Sequence, residues 1–177
     1  MPIKIYKPTS NGRRNSSTDT FSDITKFNPE KSLIKILQPK SGRNNQGIIT
    51  VRHKSGGAKK YYRMIDFVQS KFDIPAEVMA IEYDPNRTVR IARLHYSDGE
   101  KRYILAPEQL RVGQSVVTTE QAALEPGNRM KLKNIPQGTL VHNLEIRPGQ
   151  GGRLIRSAGS GATVLAHEGN HVQVVLP

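Results

Sequence analysis

The chain has 177 residues, with 27 Lys or Arg against 15 Asp or Glu, a net charge of +12, and neither Cys nor Trp. That length holds one domain or two small ones, and without cysteine there is no disulfide framework and no thiolate metal site, as suits a reducing compartment. No apolar run is long enough to span a bilayer, and the opening "MPIKIYKPTS" lacks the apolar core of a signal peptide.

Charge is unevenly spread along the chain. From Met1 to Arg63 there are 14 Lys or Arg and 3 Asp or Glu, whereas from Met64 to Pro177 there are 13 and 12. A basic arm ahead of a charge-balanced body is the footprint of a protein that meets a polyanion. A membrane surface would ask for an amphipathic apolar stripe; this arm carries Pro, Gly, Ser and Asn instead.

Residues 1–47 read as a basic, irregular extension. "KPTSNGRRNSSTD" is turn-rich and polar, and "PKSGRNNQG" returns to loop composition. "PEKSLIKIL" between them is either one short helical turn or an extended piece. The arm has too little apolar content to bury itself and is expected to order on its partner.

From Ile48 the texture changes to strands. "GIITVRH", "KKYYRMIDF", "IPAEVMAIEY", "TVRIARLHY" and "KRYILA" are β-rich runs separated by turns such as "KSGG", "DPN" and "SDGE". In "TVRIARLHY" the apolar parity flips between Ile91 and Leu94, which means a bulge near Ala92 or a strand covered on both faces. Short strands at this spacing over residues 48–110 fit an oligonucleotide-binding (OB-fold) barrel. After the break "PEQLRVGQ", the runs "QSVVTT", "TLVHNLEI", "GRLIRSA", "ATVLAH" and "HVQVVLP" make residues 111–177 a second barrel of SH3-like size. The expected fold class is therefore mainly β, two small barrels in tandem behind the extension.

Near the end, "HEGNH" has the H-E-x-x-H spacing with which zinc peptidases hold their metal. That chemistry needs a helix, which brings both His to one face with the Glu as general base. Here Gly169 and Asn170 are turn residues, and the flanks "ATVLA" and "VQVVL" are β-branched, so the stretch reads as a hairpin with a loop over Glu168–Asn170. On one strand, residues four apart are about 13 Å from each other, too far to share a zinc. No metal, cofactor or small-molecule substrate is expected. There is no P-loop and no nucleophile elbow, and Glu82 and Asp84, flanking a turn, read as solvated loop charges.

What stands out instead is Arg, Lys and Asn in a glycine frame. "GRNNQGIITVRHKSGGAKK" carries Arg43, Asn44, Asn45, Arg52, Lys54, Lys59 and Lys60. Glycine lets a backbone approach phosphates, Arg binds them bidentately, and Asn can read a base edge. Arg13 and Arg14 in the arm, Arg63, and Arg153 in "RPGQGGRLIRSAGSGA" join this candidate set. Arg87 in "YDPNRTVRI" is either a hairpin rim residue or a phosphate contact, and the loop of Arg153 and Arg156 is either a flexible linker or an RNA-facing surface. Tyr61, Tyr62, Tyr83, Tyr96 and Tyr103 suggest a base-stacking platform, but aromatics in small barrels are more often core, where Tyr61 and Tyr83 are placed.

Taken in order, "KPTSNGRR", "GRNNQGIITVRH", "YRMIDF", "IEYDPNR", "DGEKRYILAP" and "NIPQGTLVHNLEIRPGQGGRLIRSAG" resemble the bacterial-type large-ribosomal-subunit protein number two family, from the first residues to the last. The resemblance implies an OB-fold barrel followed by an SH3-like barrel. It also implies a non-enzymatic role as a binder of large-subunit (23S-type) ribosomal RNA beside neighbouring ribosomal components, supporting assembly, subunit association and the peptidyl-transferase region. It implies a cytoplasmic ribosome, or an organellar one, with no membrane partner. By motif match the family's RNA contacts fall on Arg87 and Arg156, with Arg52 and His53 nearby. Where the family has a run like G-G-G-H-K, this chain has "SGGAKK", with Ser55 for a glycine and Ala58 for the histidine. The family pattern usually continues past the second barrel into a basic tail, whereas this sequence stops at Pro177, as a fragment or a shortened member, and the roles of that tail are not carried over. A general single-strand nucleic-acid binder built on the same barrels is the rival reading.

Overall fold

A computed structural model describes residues 2–169 and 171–177 and shows a mainly β chain. β1 (Ile3–Ile5) and β2 (Ser17–Asp19) form an antiparallel hairpin, and β3 (Ile34–Ile36) pairs antiparallel with β4 (Tyr61–Arg63). β5 (Ala76–Glu82), β6 (Ile91–Tyr96), β7 (Lys101–Leu105) and β8 (Ser115–Val116) make a four-stranded sheet in the order β7-β6-β5-β8. β9 (Leu140–Val141), β10 (Ala162–Glu168) and β11 (His171–Val175) make a three-stranded sheet in the order β11-β10-β9. Short 3-10 turns span Lys31–Leu33 and Leu132–Asn134. "PEKSLIKIL" thus holds both of its alternatives, a helical turn running straight into a strand.

The first sheet follows from alternation. In β5, Ala76 and Val78 face the core and Glu77 and Met79 are exposed, while beyond a break in register Ala80 and Glu82 are buried opposite Arg93 and Ile91. Val78, Ala92, Leu94, Tyr96, Ile104, Leu110 and Val116 form the core, where each fully buried Val, Leu or Ile contributes about 1.5–3 kcal/mol. The parity flip in β6 has its second explanation, because the strand is covered on both faces. Ala92 and Leu94 face the core, while Ile91 and Arg93 are buried on the other face, where Arg93 bonds Glu30 of the arm. The bulge is in the partner strand, between Val78 and Ala80, rather than near Ala92.

The extension holds only short regular elements, but it is docked on the first sheet. Thr25 donates its backbone N–H to the Ile81 carbonyl (3.0 Å), Ile81 N–H returns a bond to Thr25 Oγ1 (2.9 Å), and Ile24 is buried. The first third has three acids, Asp19, Asp23 and Glu30, and all three dock the arm on barrel cations. Asp19 and Asp23 pair with Arg90, and Glu30 pairs with Arg93 (3.1 Å) and Lys101 (3.5 Å). Phe21 packs edge-on against Tyr83 at 5.3 Å, with the Arg90 guanidinium over both rings. The Phe21 backbone N–H and the Arg90 guanidinium hold Asp19 below the usual carboxylate range, and Arg90 does the same for Asp23. With its acids committed to docking, the arm presents its cations.

Two expected strands are loops. "GIITVRH" fails because the Asn44 side chain accepts the Gln46 and Ile48 N–H groups (2.9 and 3.0 Å), an Asx turn that competes with a ladder. Its Ile48, Ile49 and Val51 are consequently 52–60% exposed. Gly42, at φ 70°, accepts the Thr50 and Val51 N–H groups, and a Cβ there would strike the Val51 carbonyl oxygen. "GRLIRSA" contributes one bridge, Leu154 to Leu144, because Ile155 turns to φ 54°. Ser115–Val116, read as the start of the second barrel, pairs with β5 of the first sheet.

"HEGNH" lies on a hairpin. Glu168 pairs with His171 across the turn at Gly169, so Glu168 ends a strand; Asn170, the rest of the expected loop, lies outside the described residues. His167 Nε2 lies 2.9 Å from the Ile135 carbonyl oxygen. Tyr61 and Tyr83, expected in the core, are each 39% exposed, whereas Tyr96 and Tyr103 are buried. Tyr61 opens β4 on the two-stranded β3–β4 ribbon, and Tyr83 lies one residue past β5 against Phe21 of the arm.

Candidate nucleic-acid interface

The turn after β5 is built around a carboxylate. Asp84 is 0% exposed; its Oδ1 accepts the Asn86 N–H (2.9 Å) and its Oδ2 accepts Arg87 Nε (2.6 Å). Asn86 Nδ2 donates to the Tyr61 carbonyl at 2.8 Å, tying the turn to β4. Asp84 is therefore an internal anchor rather than a solvated loop charge. It orients Arg87 through Nε, which leaves the terminal amino groups of the guanidinium for a ligand. Thr88 Oγ1 accepts the Ala158 N–H (3.2 Å), joining the turn to the second half of the chain.

The glycine-rich "RPGQGG" is folded as tightly. Glu145 accepts the Gly149 and Gly151 N–H groups (2.9 Å each) and pairs with Arg129. Arg129 Nη1 and the Gly152 N–H both donate to the Phe67 carbonyl, at 3.0 and 2.9 Å. Gly151 sits at φ 80°, and a Cβ on it would lie 3.1 Å from the Phe67 carbonyl carbon, so the loop seats on Phe67 only as glycine. Ile155, a β-branched residue at positive φ, is held there by the Asn143 N–H donating to its carbonyl (2.9 Å). Such a conformation costs about 1–3 kcal/mol and recurs at functional sites. It redirects the chain just before Arg156.

These two loops converge. The Arg87 guanidinium lies 5.9 Å and that of Arg156 4.9 Å from the Phe67 ring centroid, both as cation–π contacts. Tyr62, Phe67, Asn86, Arg87, Thr88, Arg156 and Ser157 line an open cleft of about 450 Å³. Two guanidinium groups from distant parts of the sequence, in a cleft with hydroxyls and an amide, suit an RNA backbone.

The other expected residues fall into separate groups. Arg43 and Lys54 line a second concavity of about 350 Å³ with Lys40, Gly42 and Gly56. Asn44 shares that loop, but its side-chain oxygen is committed to the turn. Asn45, Arg52, His53, Lys59 and Lys60 are exposed on the same segment, and Arg153 is exposed beside Arg156. Arg13 and Arg14 are exposed on the arm, with the Arg13 guanidinium 4.7 Å from the Tyr6 ring centroid. Arg63 is only 6% exposed and donates to the Tyr61 carbonyl at 2.9 Å, so it is an internal cation. It sits beside Glu82, which is also buried rather than solvated and accepts the Tyr103 hydroxyl (2.7 Å). Burial pushes the Glu82 carboxyl up, against the pull of that hydroxyl and of Arg93, Lys26 and Arg63. Phe67, Thr88, Ser157 and Lys40 escaped the sequence reading; nothing in "YRMIDF" separates a ring that carries two arginines from one that fills a core.

Geometry and charge together define an RNA-binding protein of the β class, and no helix among the described residues is long and apolar enough to cross a membrane. Residues 30–118 match the family described as Ribosomal Proteins L2, RNA binding N-terminal domain, and residues 125–177 match Ribosomal Proteins L2, C-terminal domain. The chain belongs to the ribosomal protein L2 family. It is a structural protein of the large ribosomal subunit that binds ribosomal RNA, and its two halves are of OB-fold and SH3-like type.

Proposed function

We propose that this protein holds large-subunit rRNA by its phosphate backbone in the cleft of Arg87 and Arg156, with no catalytic chemistry of its own. The observation that carries this reading is the meeting of those two arginines over Phe67. Arg13, Arg14, Arg43, Arg52, Lys54, Lys59, Lys60 and Arg153 add a broader cationic surface that also displays Asn45 and His53, while Arg63 and Asn44 support it from within. In this role the protein supports subunit assembly, subunit association and the neighbourhood of the peptidyl-transferase centre, on a cytoplasmic or organellar ribosome. Glu82 and Asp84 are committed to internal partners rather than poised as an acid–base pair. The arm over 1–47, a first barrel over 48–110 and a second over 111–177 are the working division, with the pairing of β8 to β5 favouring a border between the barrels nearer Thr118.

The rival is a general single-strand binder. Binding of the chain to a large-subunit rRNA fragment and to a scrambled RNA of equal length, across a salt titration, separates the two. Each phosphate neutralised on a duplex contributes a slope of about −0.9 in log K against log salt. A preference for the rRNA fragment that persists as salt rises is expected. Equal affinities that collapse together would favour the rival.

A further inference from the structure

Arg87 and Arg156 are set by different devices. Arg87 is clamped through Nε by buried Asp84, and its side chain is 17% exposed. Arg156 is exposed and shares with Arg87 the half-buried ring of Phe67. That ring is not part of the barrel core. The Phe67 backbone is fixed independently of its side chain, because its carbonyl accepts the Gly152 N–H and Arg129 Nη1, and the preceding Asp66 N–H donates to the Tyr103 carbonyl (2.8 Å). A free arginine side chain loses rotamer freedom when it grips a phosphate, and stacking on a ring removes part of that loss beforehand.

We propose that Phe67 is the positioning residue of the rRNA interface: its ring holds the Arg87 and Arg156 guanidinium groups, one from each half of the chain, in register for the RNA backbone. The inference rests on the reading that these two arginines contact rRNA. Phe67 touches no RNA in this role and acts through the arginines.

The test compares Phe67→Leu, which keeps apolar bulk and removes the aromatic face, with Phe67→Tyr, which keeps the face. Binding to a large-subunit rRNA fragment is measured for both, and for each arginine variant in the parent and Phe67→Leu backgrounds. Phe67→Leu is expected to weaken binding roughly five- to tenfold without moving the urea unfolding midpoint, while Phe67→Tyr retains it. Arg156→Ala should then cost less in the Phe67→Leu background than in the parent, the non-additivity of coupled residues. Parent-like binding by Phe67→Leu alongside weakened Arg87→Ala and Arg156→Ala would overturn the positioning role and leave the interface standing. Full additivity would overturn it too. Parent-like binding by both arginine variants would remove the interface itself. Should Phe67→Leu not fold, Phe67→Met against Phe67→Tyr gives the same comparison.

Discussion

Arg87→Ala and Arg156→Ala are each expected to weaken rRNA binding by about 1–3 kcal/mol and to lower the salt slope by about 1. The two losses should combine to less than their sum, since both guanidinium groups lie over one ring and neighbours couple. Arg87→Ala carries a second consequence. It leaves Asp84, wholly buried, without the Nε–H that satisfies Oδ2, so a fall in folding stability should accompany the binding loss. Arg156→Ala, at an exposed position, should leave stability alone. Titration binding with urea unfolding on the same preparations separates these effects. Unchanged affinity in both variants would remove the cleft from the interface.

The second large effect concerns how the arm is held. Arg93→Met should destabilise the fold by about 1–3 kcal/mol at pH 8, the cost of taking from a buried carboxylate one of its cations while Lys26, Arg63 and the Tyr103 hydroxyl remain. Arg93 reaches Glu30 at 3.1 Å and Glu82 at 3.7 Å, and Glu82 is 1% exposed. The sign of the pH dependence follows from Glu82. Burial already raises its folded pKa above its unfolded value, so the folded state takes up the proton first, and this group favours folding as pH falls and opposes it above the raised pKa. Removing Arg93 raises that pKa further. The gap between variant and parent should therefore be widest at pH 8 and narrow towards pH 5, as read by urea unfolding at both values. A pH-independent gap would mean that Glu82 is not the group left stranded.

The parts of the fold legible from sequence are those set by local alternation. "AEVMAIE" became a strand with buried and exposed residues alternating along most of its length, "KRYIL" became one whose apolar end is buried on both faces, and the β-branched flanks of "HEGNH" outweighed its zinc-like spacing. Arg87 and Arg156 stood out because glycine, proline and arginine cluster around them. What stayed hidden depends on partners distant in sequence. Asn44 spoiled a strand through a side-chain turn, Asp19, Asp23 and Glu30 turned an apparently loose arm into a docked one, and Arg63 went inside to meet Glu82. Phe67 was invisible for the same reason. Its role arises where the turn of Asp84 and the loop of Glu145 meet, 17 and 78 residues further along the chain, and neither loop names the ring it rests on.

Photocrosslinking from inside the cleft tests the docking of rRNA most directly. A benzoylphenylalanine in place of Ser157, which lines the cleft, is compared with one in place of Asn11 on the exposed arm, each bound to the same large-subunit rRNA fragment. Crosslinks from position 157 confined to a few adjacent nucleotides, and lost in the Arg87→Ala background, are the expected result. Crosslinks from position 11 alone, with none from 157, would mean that RNA is held by the basic arm and that the arginines over Phe67 face something else.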